Sequence, residues 1–225
     1  MIEELLPGTV VAVEAHGPED PGPASLFPEE AELVARAVAK RRREFAAVRV
    51  CARRAMDKLG VPPQPILPGE RGAPRWPSGL AGSMTHCDGY CAAALVRATD
   101  LASLGIDAEP DETLPEGVLE AVALPAEAER LRRLTADRPD VHWDRLLFSA
   151  KESVYKAWFP LTGKWLDFSE ADIVITADPG ERRGSFRAAL LVPGPWVGGR
   201  RLTHFDGRWT ARDGLLATAV VVAHG

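Results

Sequence analysis

The chain has 225 residues and a formal net charge of -5, with 46% hydrophobic and 26% charged residues. That length allows one domain or two small ones around a buried core, and the acidic balance argues against general nucleic-acid binding. No apolar run reaches the ~18 residues of a membrane span, and Met1-Ile-Glu-Glu4 lacks the basic and apolar parts of a secretory signal. The cysteines Cys51, Cys87 and Cys91 form neither a disulfide framework nor a zinc set. A cytoplasmic protein in a reducing compartment is expected.

In chain order, Thr9-Val-Val-Ala-Val13 predicts a short buried strand, and Pro18 to Pro28 a proline-rich loop. Pro28-Glu-Glu30 reads as a helix start, with proline and acids in the first turn. Apolar residues at Leu33, Val34, Ala37 and Val38 carry that helix. After a break, Phe45, Val48, Ala52, Ala55, Met56 and Leu59 carry a second, ended by Gly60 and Pro62. Arg41, Arg42, Arg43, Arg49, Arg53 and Arg54 decorate the second helix. They are either a solvated basic face or a site for a phosphorylated ligand, since guanidinium groups fork onto phosphate oxygens. Val61 to Pro77 is a loop containing Gly69-Glu-Arg-Gly-Ala-Pro74. Ala81-Gly-Ser-Met-Thr-His86 leads into a strand whose hairpin partner, Tyr90 to Val96, follows a favoured Asp-Gly turn at Cys87-Asp-Gly89. His86 reads as a structural histidine or as half of a dyad with Cys87. Adjacent strand residues point to opposite faces, which disfavours the dyad.

A strand over Ser103 to Ala108 opens a second half. A loop at Asp111 to Pro115 is followed by a helix from Pro125 to Leu134, with Arg132 and Arg133 solvated. Thr135 to Val141 is a loop. A further helix begins near His142 and ends near Trp158, with Leu146, Leu147, Val154, Ala157 and Trp158 apolar and Lys151, Glu152 and Lys156 off that stripe. Glu152 and Lys156 lie one turn apart. By themselves they make a surface pair worth about 0.2–0.5 kcal/mol. Asp107 and Glu109 share one strand face. With Glu152 they can hold a hard divalent cation beside a polyphosphate. After Pro160 the segment Leu161 to Phe168 is turn-rich, and Gly163-Lys164 lacks the rest of a phosphate loop. Ile173 to Thr176, Phe186 to Val192, Arg200 to Trp209 (with a turn at Asp206-Gly207) and Leu215 to Val222 predict strands. Strands in tight turns with grouped helices predict an α+β fold.

Gly105-Ile-Asp-Ala-Glu109 and, some forty residues on, Lys151-Glu-Ser-Val-Tyr-Lys-Ala157 resemble the paired signature of the 4′-phosphopantetheinyl transferases of the surfactin-synthetase and enterobactin type, particularly actinobacterial members. Ser83-Met-Thr-His86 and Trp165-Leu-Asp-Phe168 add to the resemblance, which spans most of the chain. It implies two similar α+β halves related by a pseudo-twofold, placed at residues 1–102 and 103–225, meeting along a cleft. It implies transfer of 4′-phosphopantetheine from coenzyme A to a serine of an acyl, peptidyl or polyketide carrier protein by a monomeric, Mg²⁺-dependent enzyme that releases adenosine 3′,5′-bisphosphate. By the same resemblance Asp107, Glu109 and Glu152 hold the metal, and Arg41, Arg49, Arg71, Ser83, His86 and Lys156 contact coenzyme A. Glu152 and Lys156 are catalytic, Lys156 stabilising the departing nucleotide. The sequence leaves open whether Glu152 is base or only metal ligand. Gly69-Glu-Arg-Gly72 stands where the family usually has Gly-Lys-Pro, so Arg71 is assigned across a departure from the pattern. The other readings are a metal-dependent phosphohydrolase, using the same carboxylates with water as nucleophile, and a non-catalytic nucleotide- or carrier-protein-binding scaffold.

Overall fold

The computed structural model describes residues 1–17, 21–22 and 25–225. Pro18–Asp20, Pro23 and Ala24, within the loop predicted over Pro18 to Pro28, lie outside the described residues. Strands β1 (Val11–His16), β2 (Leu80–Cys87) and β3 (Tyr90–Arg97) form an antiparallel sheet in the order β1-β3-β2. Helices α1 (Pro28–Val34) and α2 (Ala39–Lys58) precede β2. A second antiparallel sheet has the order β4-β10-β9-β6-β5, from β4 (Leu101–Pro110), β5 (Ala171–Ala177), β6 (Arg183–Leu190), β9 (His204–Arg212) and β10 (Leu215–Ala223). The pair β7 (Trp196–Val197) and β8 (Arg200–Arg201) stands apart. Helices α3 (Val118–Val122), α4 (Pro125–Asp137) and α5 (Trp143–Thr162) lie between β4 and β5. Helix and strand are thus mixed as the α+β reading expects. No helix among the described residues is long and apolar enough to cross a membrane.

Residue type explains the layering. Strand β3 is buried on both faces, and its middle is the small run Ala92-Ala93-Ala94. Cys91, Ala93 and Leu95 pack on Val48, Ala52, Ala55 and Met56 of α2. The alternate residues Tyr90, Ala92, Ala94 and Val96 join Ile106 and Ala108 of β4 and Ala217 of β10. Strand residues two apart share a face, so small side chains let β3 serve two layers. Helix α5 covers the second sheet. Leu146, Leu147, Val154 and Trp158 meet Ile173, Phe186, Trp209 and Leu216.

Several elements depart from the sequence expectations. The first strand lies at Val11–His16, two residues beyond the predicted start. Helix α5, expected to end near Trp158, runs through Pro160 to Thr162, capped by Gly163 at φ 63°. Pro160 has no amide hydrogen and so forfeits its own helix bond in this last turn. Lys151 stands off the apolar stripe yet does not face solvent. It is buried with Glu127 of α4 at 2.8 Å, and its ammonium also donates to the Phe168 and Ala171 carbonyls. Asp206-Gly207 is not a turn, because β9 runs straight through it. Gly207 pairs with Phe186, whose ring lies 2.1 Å from where a Cβ would stand. The chain reverses instead at Asp213-Gly214, both at positive φ, the backbone of a two-residue hairpin turn.

One close approach aligns the two signature stretches. A Cβ on Gly105 of β4 would come within 2.0 Å of the Ser153 carbonyl oxygen and 2.7 Å of the Ala157 nitrogen on α5. Only glycine lets the helix backbone settle there, two residues before Asp107, and Ser103 locks the contact by donating to the Ala157 carbonyl at 2.8 Å. Gly105→Ala is expected to lower stability by about 1–3 kcal/mol or more, the cost of overpacking against groups that cannot yield. Denaturant unfolding checks this, and a change below about 0.5 kcal/mol, the scatter of neutral surface substitutions, would show that α5 can retreat freely.

Candidate active site

The two sheets meet where β2 runs beside β4. The outer amides of β4 have no strand partner there, and side chains of β2 satisfy them. Ile106 N–H donates to Ser83 Oγ at 3.0 Å and Ala108 N–H to Thr85 Oγ1 at 3.1 Å. Thr85 passes its own hydroxyl proton toward Asp107 Oδ1 at 3.2 Å. Ser83, expected against coenzyme A, is therefore a buried seam residue that also borders the cleft.

Above the seam lies a cleft of about 610 Å³ between α2, β2, the Pro68–Trp76 loop and α5. Arg41, Arg49, Arg71, Ser83, His86, Asp107, Glu152 and Lys156 all line it. Glu109 does not line that cleft. Arg145 of α5 holds it at 3.1 Å.

The carboxylates and the lysine are coupled across elements. Lys156 donates to Asp107 Oδ1 at 2.7 Å and to the Ile106 carbonyl at 3.1 Å. It therefore does not form the surface pair with Glu152 that helix spacing alone suggests. Among the described residues Glu152 takes part in no hydrogen bond or ion pair, and burial raises its pKa, opposed by Lys156. Burial first, and then the Asp107 charge, push Glu109 up to about 7 in spite of Arg145. Among the described residues, Asp107 Oδ2 is buried with no hydrogen-bond partner. An orphaned buried carboxylate oxygen is costly. Burial is the main cause that holds both Glu109 and Glu152 above their usual range, and the Asp107 charge adds to it at each. Among the described residues no three such side chains yet converge into a coordination set. The chemistry of the donors nevertheless fits a hard divalent cation, which takes carboxylate oxygens.

The opposite wall is cationic. Arg41 Nη1 donates to His86 Nε2 at 2.6 Å, so that ring nitrogen carries no proton. Arg49 is buried. Its Nε donates to the Ile66 carbonyl at 3.1 Å and lies 3.6 Å from Glu30 Oε1, and its Nη1 donates to the Phe45 carbonyl at 3.3 Å. Burial lowers its pKa to about 10, so it stays charged at neutral pH. Arg53 is not part of this wall. It pairs with the fully buried Glu30 at 3.0 Å. Arg71, at φ 52°, is exposed at the rim with its guanidinium 5.7 Å from the Trp165 ring. Burial and the nearby acids push the Cys87 thiol up to about 12, which leaves no thiolate for a dyad with His86.

Arg145 and Thr85 were missed in the sequence. Arg145 stands seven residues before Glu152 and eleven before Lys156, a spacing that puts all three on one helix face. Thr85 alternates with Ser83 on β2. Those two periodicities were the available signals.

A cationic wall facing buried carboxylates and a lysine across one cleft is the equipment of an enzyme acting on a phosphorylated, anionic compound. Residues 29–96 match the 4′-phosphopantetheinyl transferase N-terminal domain, and residues 103–194 match the 4′-phosphopantetheinyl transferase superfamily. The chain is 61% identical to 4′-phosphopantetheinyl transferase Svp of Streptomyces mobaraensis, over 99% of this chain and 89% of that protein. It is 48% identical to 4′-phosphopantetheinyl transferase PptT of Mycobacterium tuberculosis, over 99% and 98%. With 4′-phosphopantetheinyl transferase Npt of Nocardia iowensis it shares 50% identity, over 99% and 100%. The chain belongs to the 4′-phosphopantetheinyl transferase family and is an enzyme.

Proposed function

We propose that this enzyme moves the 4′-phosphopantetheine group of coenzyme A onto a serine of an acyl, peptidyl or polyketide carrier protein. The serine oxygen forms a bond to the phosphorus that bears the pantetheine. The bond from that phosphorus to the bridging oxygen breaks, and adenosine 3′,5′-bisphosphate leaves with the electron pair. The observation that carries this reading is the arrangement of Lys156, Glu152 and the unpartnered Asp107 Oδ2 against Arg41, Arg49 and His86 across one cleft.

Each side chain has a part in that reaction. Arg41, Arg49 and Arg71 bind the phosphates of coenzyme A, with guanidinium groups matched to phosphate oxygens. His86, its ring held by Arg41, lies against the nucleotide. Lys156 neutralises the charge that develops on the departing nucleotide. Glu152, without a hydrogen-bond partner among the described residues and with its pKa raised, accepts the serine proton directly or through a water. Asp107 and Glu109, with Glu152 adjoining, would hold Mg²⁺. When bound, that ion neutralises the pyrophosphate and polarises its oxygens.

The test is intact-mass measurement of an apo carrier protein incubated with the enzyme, coenzyme A and Mg²⁺. Expected are the mass of an added phosphopantetheine and an equal amount of adenosine 3′,5′-bisphosphate, both lost in excess chelator. Cleavage of coenzyme A without the carrier would mark a hydrolase. An unchanged carrier mass would overturn the assignment, and full transfer in chelator would remove the metal from it.

A further inference from the structure

Resting on that reading, we infer that Arg145 is a positioning residue of the metal site, which fixes Glu109 by one carboxylate oxygen and leaves the other for the cation. Arg145 lies in the first turn of α5, and its guanidinium uses all three nitrogens. Nη1 donates to Glu109 Oε2 at 3.1 Å, Nε to the Glu112 carbonyl at 3.1 Å and Nη2 to the Thr113 carbonyl at 3.0 Å. The same Nη2 is 3.5 Å from Glu112 Oε1. Two backbone carbonyls thus set the plane of the guanidinium before Glu109 meets it, and the side chain is nine-tenths buried. Among the described residues nothing donates to Glu109 Oε1.

The stripe along α5 gives this placement its meaning. Glu152 is two turns from Arg145, and Lys156 a third turn on. The helix therefore addresses the two carboxylates of β4 with one cation each, Lys156 to Asp107 and Arg145 to Glu109. The two are not equivalent. Lys156 is a single flexible ammonium that borders the cleft. Arg145 is locked into the segment that follows β4 and is outside the cleft lining. A rigid donor behind a ligand carboxylate orients it for a metal, and losing such a partner commonly weakens metal affinity about 10–100-fold. The competing role is that of a loop clamp, since two of its contacts are to the Glu112 and Thr113 carbonyls.

The test is Mn²⁺ binding to the full chain, without carrier protein, by electron paramagnetic resonance titration. It is paired with the Mg²⁺ dependence of transfer and with thermal unfolding. Arg145→Gln is expected to weaken Mn²⁺ about 10–100-fold and to raise the Mg²⁺ needed for half-maximal transfer by a similar factor, with turnover at saturating Mg²⁺ nearly kept. Arg145→Lys, which retains one donor and the charge, recovers part of the affinity and stands in should the glutamine variant not fold. Glu112→Gln disturbs the loop side of the guanidinium only and leaves Mn²⁺ affinity within about twofold. Equal Mn²⁺ affinity in the parent and a folded Arg145 variant, with only the melting temperature changed, makes Arg145 a loop clamp and overturns the inference alone. A parent protein that binds no Mn²⁺ overturns the carboxylate metal site, and this role with it.

Discussion

Glu152→Gln is expected to slow transfer about 10²–10⁴-fold, the range for removing a group that accepts a proton in the transition state. The amide keeps the shape of the side chain, and since Glu152 holds no hydrogen bond among the described residues, no structural bond is lost. Stability and coenzyme A affinity should therefore stay close to the parent. The measurement is single-turnover transfer at saturating Mg²⁺, which removes any part of the loss that comes from weaker metal binding. Burial raises the pKa of this carboxyl above its usual range, which brings a general base closer to working pH than a solvated glutamate would be. A variant that keeps more than a tenth of the parent rate would exclude Glu152 as the proton acceptor. The serine would then have to lose its proton to water or to another carboxylate.

Lys151→Met should be the most damaging change to the fold, although Lys151 is the immediate neighbour of Glu152 and shares its motif. Its ammonium pairs at 2.8 Å with Glu127, and both side chains are almost wholly buried. Glu127 also accepts the Leu124 amide at 2.7 Å and the Ile173 amide at 2.7 Å. One ion pair thus ties α4, α5 and β5. Removing the lysine leaves an uncompensated buried carboxylate, a loss of about 3–5 kcal/mol. Chemical unfolding measures it, and adding Glu127→Gln should restore part of the stability, because the neutral amide no longer needs a counter-charge. A single variant within about 1 kcal/mol of the parent would show that water reaches this pair.

Adjacent letters of one motif therefore serve different ends: Glu152 opens on the cleft and Lys151 closes the core. Helix spacing separates them by about 100° and so permits the split. It does not say which side faces β5, because that depends on how α5 sits on the sheet. The same limit explains Lys156. Sequence spacing offers it Glu152 one turn away, whereas the absent side chain of Gly105 brings β4 close enough for Asp107 to take it instead.

What the sequence determined by itself is the set of local structures with strong punctuation and the two signature stretches. Asp88-Gly89 makes the β2–β3 hairpin, Pro28 and Pro125 start helices, Gly60 lies just past the end of α2, and the residues assigned to the cleft were legible as a group from their motifs. Periodicity and turn chemistry act within a few residues, so they survive without knowledge of the rest of the chain. Only the tertiary structure decided which partner each charged side chain takes. Arg49 and Arg53 stand one turn apart on α2 and both pair with buried Glu30, yet Arg49 also borders the cleft. Glu109 turns to Arg145 while Asp107, two residues earlier, turns to Lys156. Asp206-Gly207 has a turn's composition and is held straight by the Phe186 ring across the sheet. In each case the deciding group lies well beyond the reach of local turn or helix spacing. Its influence is steric or electrostatic over a few ångströms, and that contact exists only once the two sheets and α5 have packed.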